Sequence, residues 1–148
     1  MPKSRKLKSP KSLYDRILIF CEGETEQYYF EEYVRTLQLP QNLVSIVIRK
    51  STHTDGRGIV QDLIEHREKD DSLFVDIDTS FAVFDKESID NRLNNIEAFG
   101  LAKTNNVEIA FTSVAFEFWF YLHFEYSTGP SSDYAELKRM YIDCKSSK

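Results

Sequence analysis

"RILIFCEGETEQYYFEEYVRTL", residues 16–37, is the stretch that decides the fold. It begins with four consecutive apolar residues, Ile17–Phe20, a short run that is typical of a buried strand. Cys21 ends the run, and a glycine with three glutamates follows within the next five positions. Apolar residues then return at the spacing of one helical face, at Phe30, Tyr33, Val34 and Leu37. The stretch therefore predicts a strand, a turn and a helix in succession.

The same alternation continues along the chain. Strand patterns recur at residues 43–50, 80–84 and 107–112, and helical spacing follows at residues 59–64 and at Ile89, Leu93 and Ile96. The last strand precedes an aromatic segment, residues 115–124, which as a helix would be apolar all round and buried, with Trp119 in the core. Strands that alternate with helices favour an α/β fold, with a mainly parallel sheet of about four strands flanked by helices on both faces.

The composition fits one domain with a buried core. The 148 residues are 41% hydrophobic and 29% charged, and no apolar run approaches the roughly 18 residues of a membrane span. No signal-type apolar region follows the basic start, so we expect a cytoplasmic protein without membrane contact. Two distant cysteines predict neither a disulfide framework nor a zinc site. Cys21 is interpreted as a small buried hydrophobe, with a nucleophile at a strand end as the alternative.

Charge divides the chain into an arm and a body. Residues 1–13 carry five lysines and arginines and predict a basic, flexible arm, whereas residues 14–148 carry 14 basic against 24 acidic residues and form the predicted domain. The arm is suited either to contact nucleic-acid phosphates or to serve only as a solubilising tail. The body gives no broad basic surface.

Parallel sheets bind ligands at the carboxyl ends of their strands, which directs attention to the acids after the first strand. Glu22 follows that strand directly and stands beside Gly23, whose missing side chain permits the close approach of a ligand. Glu24 and Glu26 would lie in the first helical turn, where the helix dipole favours acids. Glu22 is therefore the acid whose position calls for a cation.

A second pair of acids follows the third predicted strand. Asp85 comes directly after the apolar run, and Glu87 stands two residues later, so both side chains point the same way in an extended segment. Carboxylate oxygens suit a hard cation. Together with Glu22, the pair predicts a Mg²⁺ or Mn²⁺ site if the first and third strands are neighbours. The alternative for Glu87 is a helix-start acid.

Other polar residues stand near the predicted strand ends. Glu117, in the first turn of the aromatic helix, is placed to reach the metal site or to orient a ligand, and His123 is interpreted as a core or rim histidine. The loop after the second strand is a candidate phosphate-binding segment, with a plain flexible loop as the alternative. Its basic residues are Arg49, Lys50, His53 and Arg57.

Three motifs, in order, resemble the RloB-like family, a group that looks like the Toprim domain of topoisomerases, primases and OLD-type nucleases. They are "CEGETEQYYF" at residues 21–30, "VFDKE" at residues 83–87 and "FEFWFYLHF" at residues 116–124. The sequence departs from the pattern in two places. Glu87 stands where the Toprim pair has a second aspartate, and "TSVA" at residues 112–115 stands where a form like "SNPC" is expected. The chain is also shorter than the family leads us to expect, as if a last helix or strand were missing.

The resemblance implies a role in anti-phage defence, because the family is associated with restriction-modification loci and with abortive infection. It also implies that Glu22, Asp85 and Glu87 hold Mg²⁺ and serve acid–base roles in phosphodiester chemistry. Three further residues belong to family motifs or would lie near the metal, and the resemblance assigns them no role: Glu26, Glu117 and His123.

We therefore expect a Mg²⁺- or Mn²⁺-dependent hydrolase, a nuclease whose substrate is DNA or RNA and which has a defence-system protein as a candidate partner. Two alternatives stay open. The first is a non-catalytic module that senses a nucleotide or nucleic acid in the same acidic crevice. The second is an interaction subunit of a defence complex that docks through its aromatic helix.

Overall fold

The computed structural model describes residues 15–40, 44–69, 79–86, 92–112 and 115–123, together with residue 139. The strands are β1 (Asp15–Cys21), β2 (Val44–Lys50), β3 (Thr79–Asp85) and β4 (Glu108–Thr112). The helices are α1 (Glu24–Leu37), α2 (Gly56–Lys69), α3 (Arg92–Thr104) and α4 (Glu117–Leu122). The predicted basic arm, Glu87 and Ile89 lie outside the described residues. Within the described part, every helix is too short or too polar to cross a membrane.

The four strands form one parallel sheet in the order β2-β1-β3-β4. β1 and β3 are neighbours, with Cys21 opposite Val83. The predicted α/β architecture is therefore confirmed, and the arrangement is consistent with a Toprim-like fold. β2 pairs with one edge of β1, and β3 and then β4 are added at the other edge. The direction in which strands are added therefore reverses between β1 and β3. In parallel sheets such a reversal marks the crevice where ligands bind.

Helices cover both faces of the sheet, as expected when right-handed crossovers run in opposite directions from one strand. Side chains alternate along each strand, so neighbouring residues serve different cores. One core joins β1 and β3 to α2 and α3, through Leu18, Phe20, Ala82, Phe84, Ile59, Leu63, Ala98 and Ala102. The opposite core joins the sheet to α1 and α4, through Cys21, Val83, Phe116, Tyr29 and Phe30.

Two sequence-based expectations about the core are wrong. Leu93 and Ile96 are 75% and 58% exposed, because α3 instead packs through Ala98 and Ala102, whose small side chains allow close approach to α2. In α4 the residue 47% exposed is Trp119, whereas Tyr121 is buried. A helix of six residues cannot bury its whole circumference when it packs on one side of a sheet.

Candidate active site

The strand ends of β1 and β3 bring Glu22 and Asp85 together across 63 residues of sequence. The Glu22 backbone N–H donates to the Val83 carbonyl at 3.0 Å, which extends the ladder between the two strands by one residue. The Glu22 Oε2 atom then accepts a hydrogen bond from the Asp85 backbone N–H at 3.0 Å. The two acids predicted from strand-end positions are thus direct neighbours at the point where the strand order reverses.

The Asp85 carboxylate is held from the α4 side of the sheet. β3 and β4 pair so that Asp85 lies opposite Thr112, whose hydroxyl donates to Asp85 Oδ1. The backbone N–H of Phe116, just before α4, donates to Asp85 Oδ2 at 3.1 Å. Both carboxylate oxygens therefore have a fixed direction, while each keeps a further lone pair for a ligand.

Negative charge accumulates in this part of the structure. Burial raises the pKa of the Asp85 carboxyl, and the nearby Glu117 carboxylate raises it further against the two hydrogen bonds that lower it. Burial likewise raises the pKa of Glu26, with Asp85 and Glu117 adding to the effect. The charged form of these groups is unfavourable without a compensating cation, since burial and like charges both oppose ionisation.

Glu26 is only 7% exposed, which the prediction of a helix-start acid did not anticipate. It does lie in the first turn of α1, and its Oε2 atom folds back to accept from the Gly23 backbone N–H at 3.0 Å, one half of a capping box. A Cβ atom at Gly23 would stand 2.8 Å from that oxygen, so the glycine makes room for the carboxylate. A glutamate three residues after a glycine at a strand end was the sequence signal for this contact.

Glu26→Gln should stabilise the metal-free protein at neutral pH. Because the pKa of Glu26 in the fold lies above its ordinary value of 4.5, ionisation costs more in the folded than in the unfolded chain. That cost appears as the pH rises above 4.5 and is absent below it. We expect Tm in EDTA at pH 7.5 to rise by about 2–4 °C, with no gain at pH 4. The exposed Glu31→Gln serves as the control, and a lower Tm for Glu26→Gln at pH 7.5 would contradict the argument.

The donor atoms suit a hard divalent cation in their chemistry. Glu22 and Asp85 offer only carboxylate oxygens, the ligands that Mg²⁺ and Mn²⁺ prefer, and neighbouring acids leave a surplus of negative charge. Within the described residues, no three His, Cys, Asp or Glu side chains are gathered closely enough to ligate one ion. The predicted third ligand, Glu87, lies outside those residues.

Comparison with known families identifies the family of the chain. The sequence model of the family described as RloB-like protein matches residues 17–147. The chain belongs to the RloB-like protein family. A search of curated proteins finds no match. The matched range of this RloB-like chain includes the four acids described above, Glu22, Glu26, Asp85 and Glu117.

The basic loop residues of the RloB-like chain are distributed around the ends of β2 and α2 and are engaged with acids. Lys50 Nζ lies 3.1 Å from Glu24 Oε1, and Arg57 Nη1 lies 3.1 Å from Glu97 Oε2. His53 Nδ1 lies 3.1 Å from Asp62 Oδ1. Arg49, at the end of β2, is exposed. These groups remain candidates for phosphate binding. To bind a phosphate, however, Lys50, His53 and Arg57 would each have to share or give up the acidic side chain that they contact.

Asp62 of α2 is a structural residue that sequence reasoning missed. Its Oδ2 atom accepts hydrogen bonds from Ser51 Oγ at 2.6 Å and from the backbone and side chain of Thr52, both at 2.8 Å. Together with His53, these donors hold the pKa of Asp62 well below its usual range. The signal in the sequence was Ser51 directly after a strand, because its hydroxyl needs a partner once buried.

The loop is attached to the acidic crevice by its first residue. The Ser51 N–H donates to the Cys21 carbonyl at 2.8 Å, immediately before Glu22. Cys21 itself is fully buried, and burial, with Glu26 and Glu31 nearby, raises the pKa of its thiol to about 12. A thiol with so high a pKa is not a nucleophile at neutral pH, so the interpretation as a buried hydrophobe is the one that fits.

The two candidates in the aromatic segment occupy different places. Glu117 begins α4, and its charge reaches Asp85 and Glu26. His123 follows α4, is exposed, and its Nδ1 atom lies 2.7 Å from the Trp119 carbonyl. A carbonyl only accepts, so Nδ1 carries the proton in that contact and Nε2 is left as the acceptor of a neutral ring. His123 is a rim histidine, as one of the two sequence interpretations held.

Proposed function

We propose that this RloB-like protein is a Mg²⁺- or Mn²⁺-dependent nuclease that cleaves nucleic-acid phosphodiesters in anti-phage defence. One observation carries the proposal: the Glu22 carboxylate accepts a hydrogen bond from the Asp85 backbone N–H at 3.0 Å, at the reversal point of a parallel sheet and among acids with raised pKa. Carboxylates whose pKa is raised by burial and by neighbouring like charges, and which lie in a crevice, are candidates for a functional site. The defence role rests on the family to which the chain belongs.

In this proposal Glu22 and Asp85 hold the cation, with Glu87 as a further candidate ligand. When bound, the cation would polarise the scissile phosphate and lower the pKa of an attacking water. Thr112 and the Phe116 N–H fix the orientation of the Asp85 carboxylate, so its free lone pairs point in one direction. Glu26 and Glu117 maintain the negative potential that attracts the cation and, without it, repels the phosphate.

The basic loop supplies the opposite charge at the edge of the crevice. Arg49 and Lys50 end β2, which pairs with β1 on the edge away from β3. They therefore lie on one side of Glu22 in the strand order, and Asp85 lies on the other. Substrate phosphate would compete with Glu24 for Lys50, an exposed pair with little energy to lose. The loop therefore provides positive charge for the approach of a phosphate, from Arg49 directly and from Lys50 when it exchanges its partner.

The proposal is tested by a metal panel on single-stranded and duplex RNA and DNA. We expect the purified chain to cleave at least one of them with Mg²⁺ or Mn²⁺ and to lose all measurable cleavage in excess EDTA, because the carboxylates alone repel the substrate. Restoring the metal should restore the rate.

Cleavage at equal rates with and without EDTA would contradict this mechanism. Saturable, metal-dependent binding of a nucleotide without cleavage of any substrate would instead support the sensing module. Glu22→Gln separates the two, since an enzyme loses turnover whereas a sensor loses only its response to the ligand.

A further inference from the structure

An aromatic cleft lies between α1 and α4, next to the acidic crevice. It encloses about 510 Å³, within the range of small-molecule sites. Tyr29 and Tyr33 form one wall, with their rings nearly parallel at 4° and 6.2 Å between centroids. Trp119 and His123 line it from the α4 side, with 5.3 Å between their ring centroids, and Tyr29 packs edge-to-face on His123 at 5.9 Å, so the two sides are in contact there. Thr112 also lines the cleft, and its hydroxyl donates to Asp85, so the cleft and the crevice share a residue.

We propose that this cleft binds an unpaired nucleobase by stacking, and so places the adjacent phosphodiester at Glu22 and Asp85. The ligand class is a nucleobase of a single strand or of a free nucleotide. This inference rests on the proposed function, since it assigns the substrate that the acidic crevice acts on.

Two rings of the cleft are exposed, and the Trp119 ring is also held in place, both of which favour stacking. Tyr33 is 51% and Trp119 is 47% exposed, although both belong to helices with buried faces. The Trp119 Nε1–H donates to the Tyr29 hydroxyl at 2.7 Å, so the indole cannot turn freely. Aromatic faces held in place bind bases without regard to sequence, because every base offers a π-face.

The polar groups of the cleft also suit an uncharged base. None of the residues that line it is an acid, in contrast to the crevice below. Hydrogen-bonding atoms are available at the Tyr29 hydroxyl and at His123, whose Nε2 accepts when the ring is neutral. The paired bases of a duplex are stacked on each other and cannot enter, so the cleft selects unpaired nucleotides.

Trp119 is the single tryptophan of the chain, so its fluorescence reports directly on the cleft. The full chain is titrated in EDTA with a short single-stranded oligonucleotide, a duplex of the same sequence and a mononucleotide. Without metal the acidic crevice repels phosphates and lowers every affinity, so the comparison among ligands and between variants of equal charge reports on the cleft. We expect saturable quenching by the single strand and no saturable quenching by the duplex. The mononucleotide distinguishes the two ligand sources. If it binds as tightly as the single strand, the cleft is a site for a free nucleotide, and if it binds more weakly, the cleft is a site for a base within a strand.

Tyr33→Leu removes one exposed ring and leaves an apolar side chain, and it should weaken single-strand binding about 10-fold. Phe99→Leu is the matched control, because Phe99 is a 45% exposed ring on the other face of the sheet, against Phe84 and Phe111. Equal quenching by duplex and single strand, or equal affinities for the two variants, would overturn the inference. The titration needs neither metal nor turnover, so a protein that binds the single strand but never cleaves would reject the nuclease and leave the base site standing.

Discussion

On the proposed function, Glu22→Gln of this RloB-like protein is expected to lower metal-dependent cleavage about 10³-fold. The change removes the carboxylate charge of one of the two acids at the β1–β3 reversal and keeps an oxygen that accepts from the Asp85 N–H. The fold should therefore survive while the charge proposed to hold the cation is lost. Asp85→Asn should lower cleavage to a similar extent, because it removes the charge of the other proposed ligand. The fold should again survive, since the amide oxygen still accepts one hydrogen bond from Thr112 or Phe116.

Glu24→Gln is the matched control for this loss. Glu24 is an exposed acid two residues away that pairs with Lys50 at the surface, so its substitution should leave the cleavage rate within about threefold. Rates are measured at saturating Mg²⁺ on the substrate that the wild type cleaves best, with Tm recorded for each variant. A Glu24→Gln variant as inactive as Glu22→Gln would mean that general negative charge, and not the strand-end pair, determines activity.

The sheet and the pairing of Glu22 with Asp85 were predictable because both follow from short-range pattern. Buried strands show as apolar runs, and the carboxyl ends of parallel strands must meet at one edge, so residues that follow two neighbouring strands are neighbours themselves. The prediction depended on β1 lying beside β3, which the pattern of the strands does not determine and the structure supplies.

The side chains that were misplaced depend on how helices pack, which periodicity alone does not define. In α3 two alanines were more suitable for close contact with α2 than Leu93 and Ile96, although the apolar spacing favoured the larger residues. Trp119 is exposed because its neighbour Tyr29 comes from α1, 90 residues earlier, and offers a hydrogen bond at the surface. Glu26 is buried by a local contact with Gly23 that competes with the usual solvation of a helix-start acid.

Asp62→Ala is expected to destabilise the protein by about 2–3 kcal/mol. The substitution removes the common acceptor of Ser51 and Thr52 and leaves the hydroxyl of Ser51, a residue only 4% exposed, without that partner. Chemical denaturation at pH 7 measures the loss. Glu65→Ala, an exposed acid on the same helix with a partner at 3.6 Å in Lys69, is the control and should cost less than about 0.5 kcal/mol.

The pH dependence shows whether the charge of Asp62 carries this stability. The pKa of Asp62 in the fold lies below its ordinary value of 3.8, so its contribution is complete above that pH and is lost as the pH falls toward the folded pKa. The difference in unfolding free energy between wild type and Asp62→Ala should therefore narrow below about pH 4. A difference that stays constant down to pH 2 would assign the effect to packing. Asp62 also holds Ser51 and Thr52 at the start of the candidate phosphate-binding loop, and the Ser51 N–H donates to the Cys21 carbonyl beside Glu22. On the proposed function, loss of Asp62 displaces this loop and not the metal ligands, so the variant should raise KM for nucleic acid more than it lowers kcat.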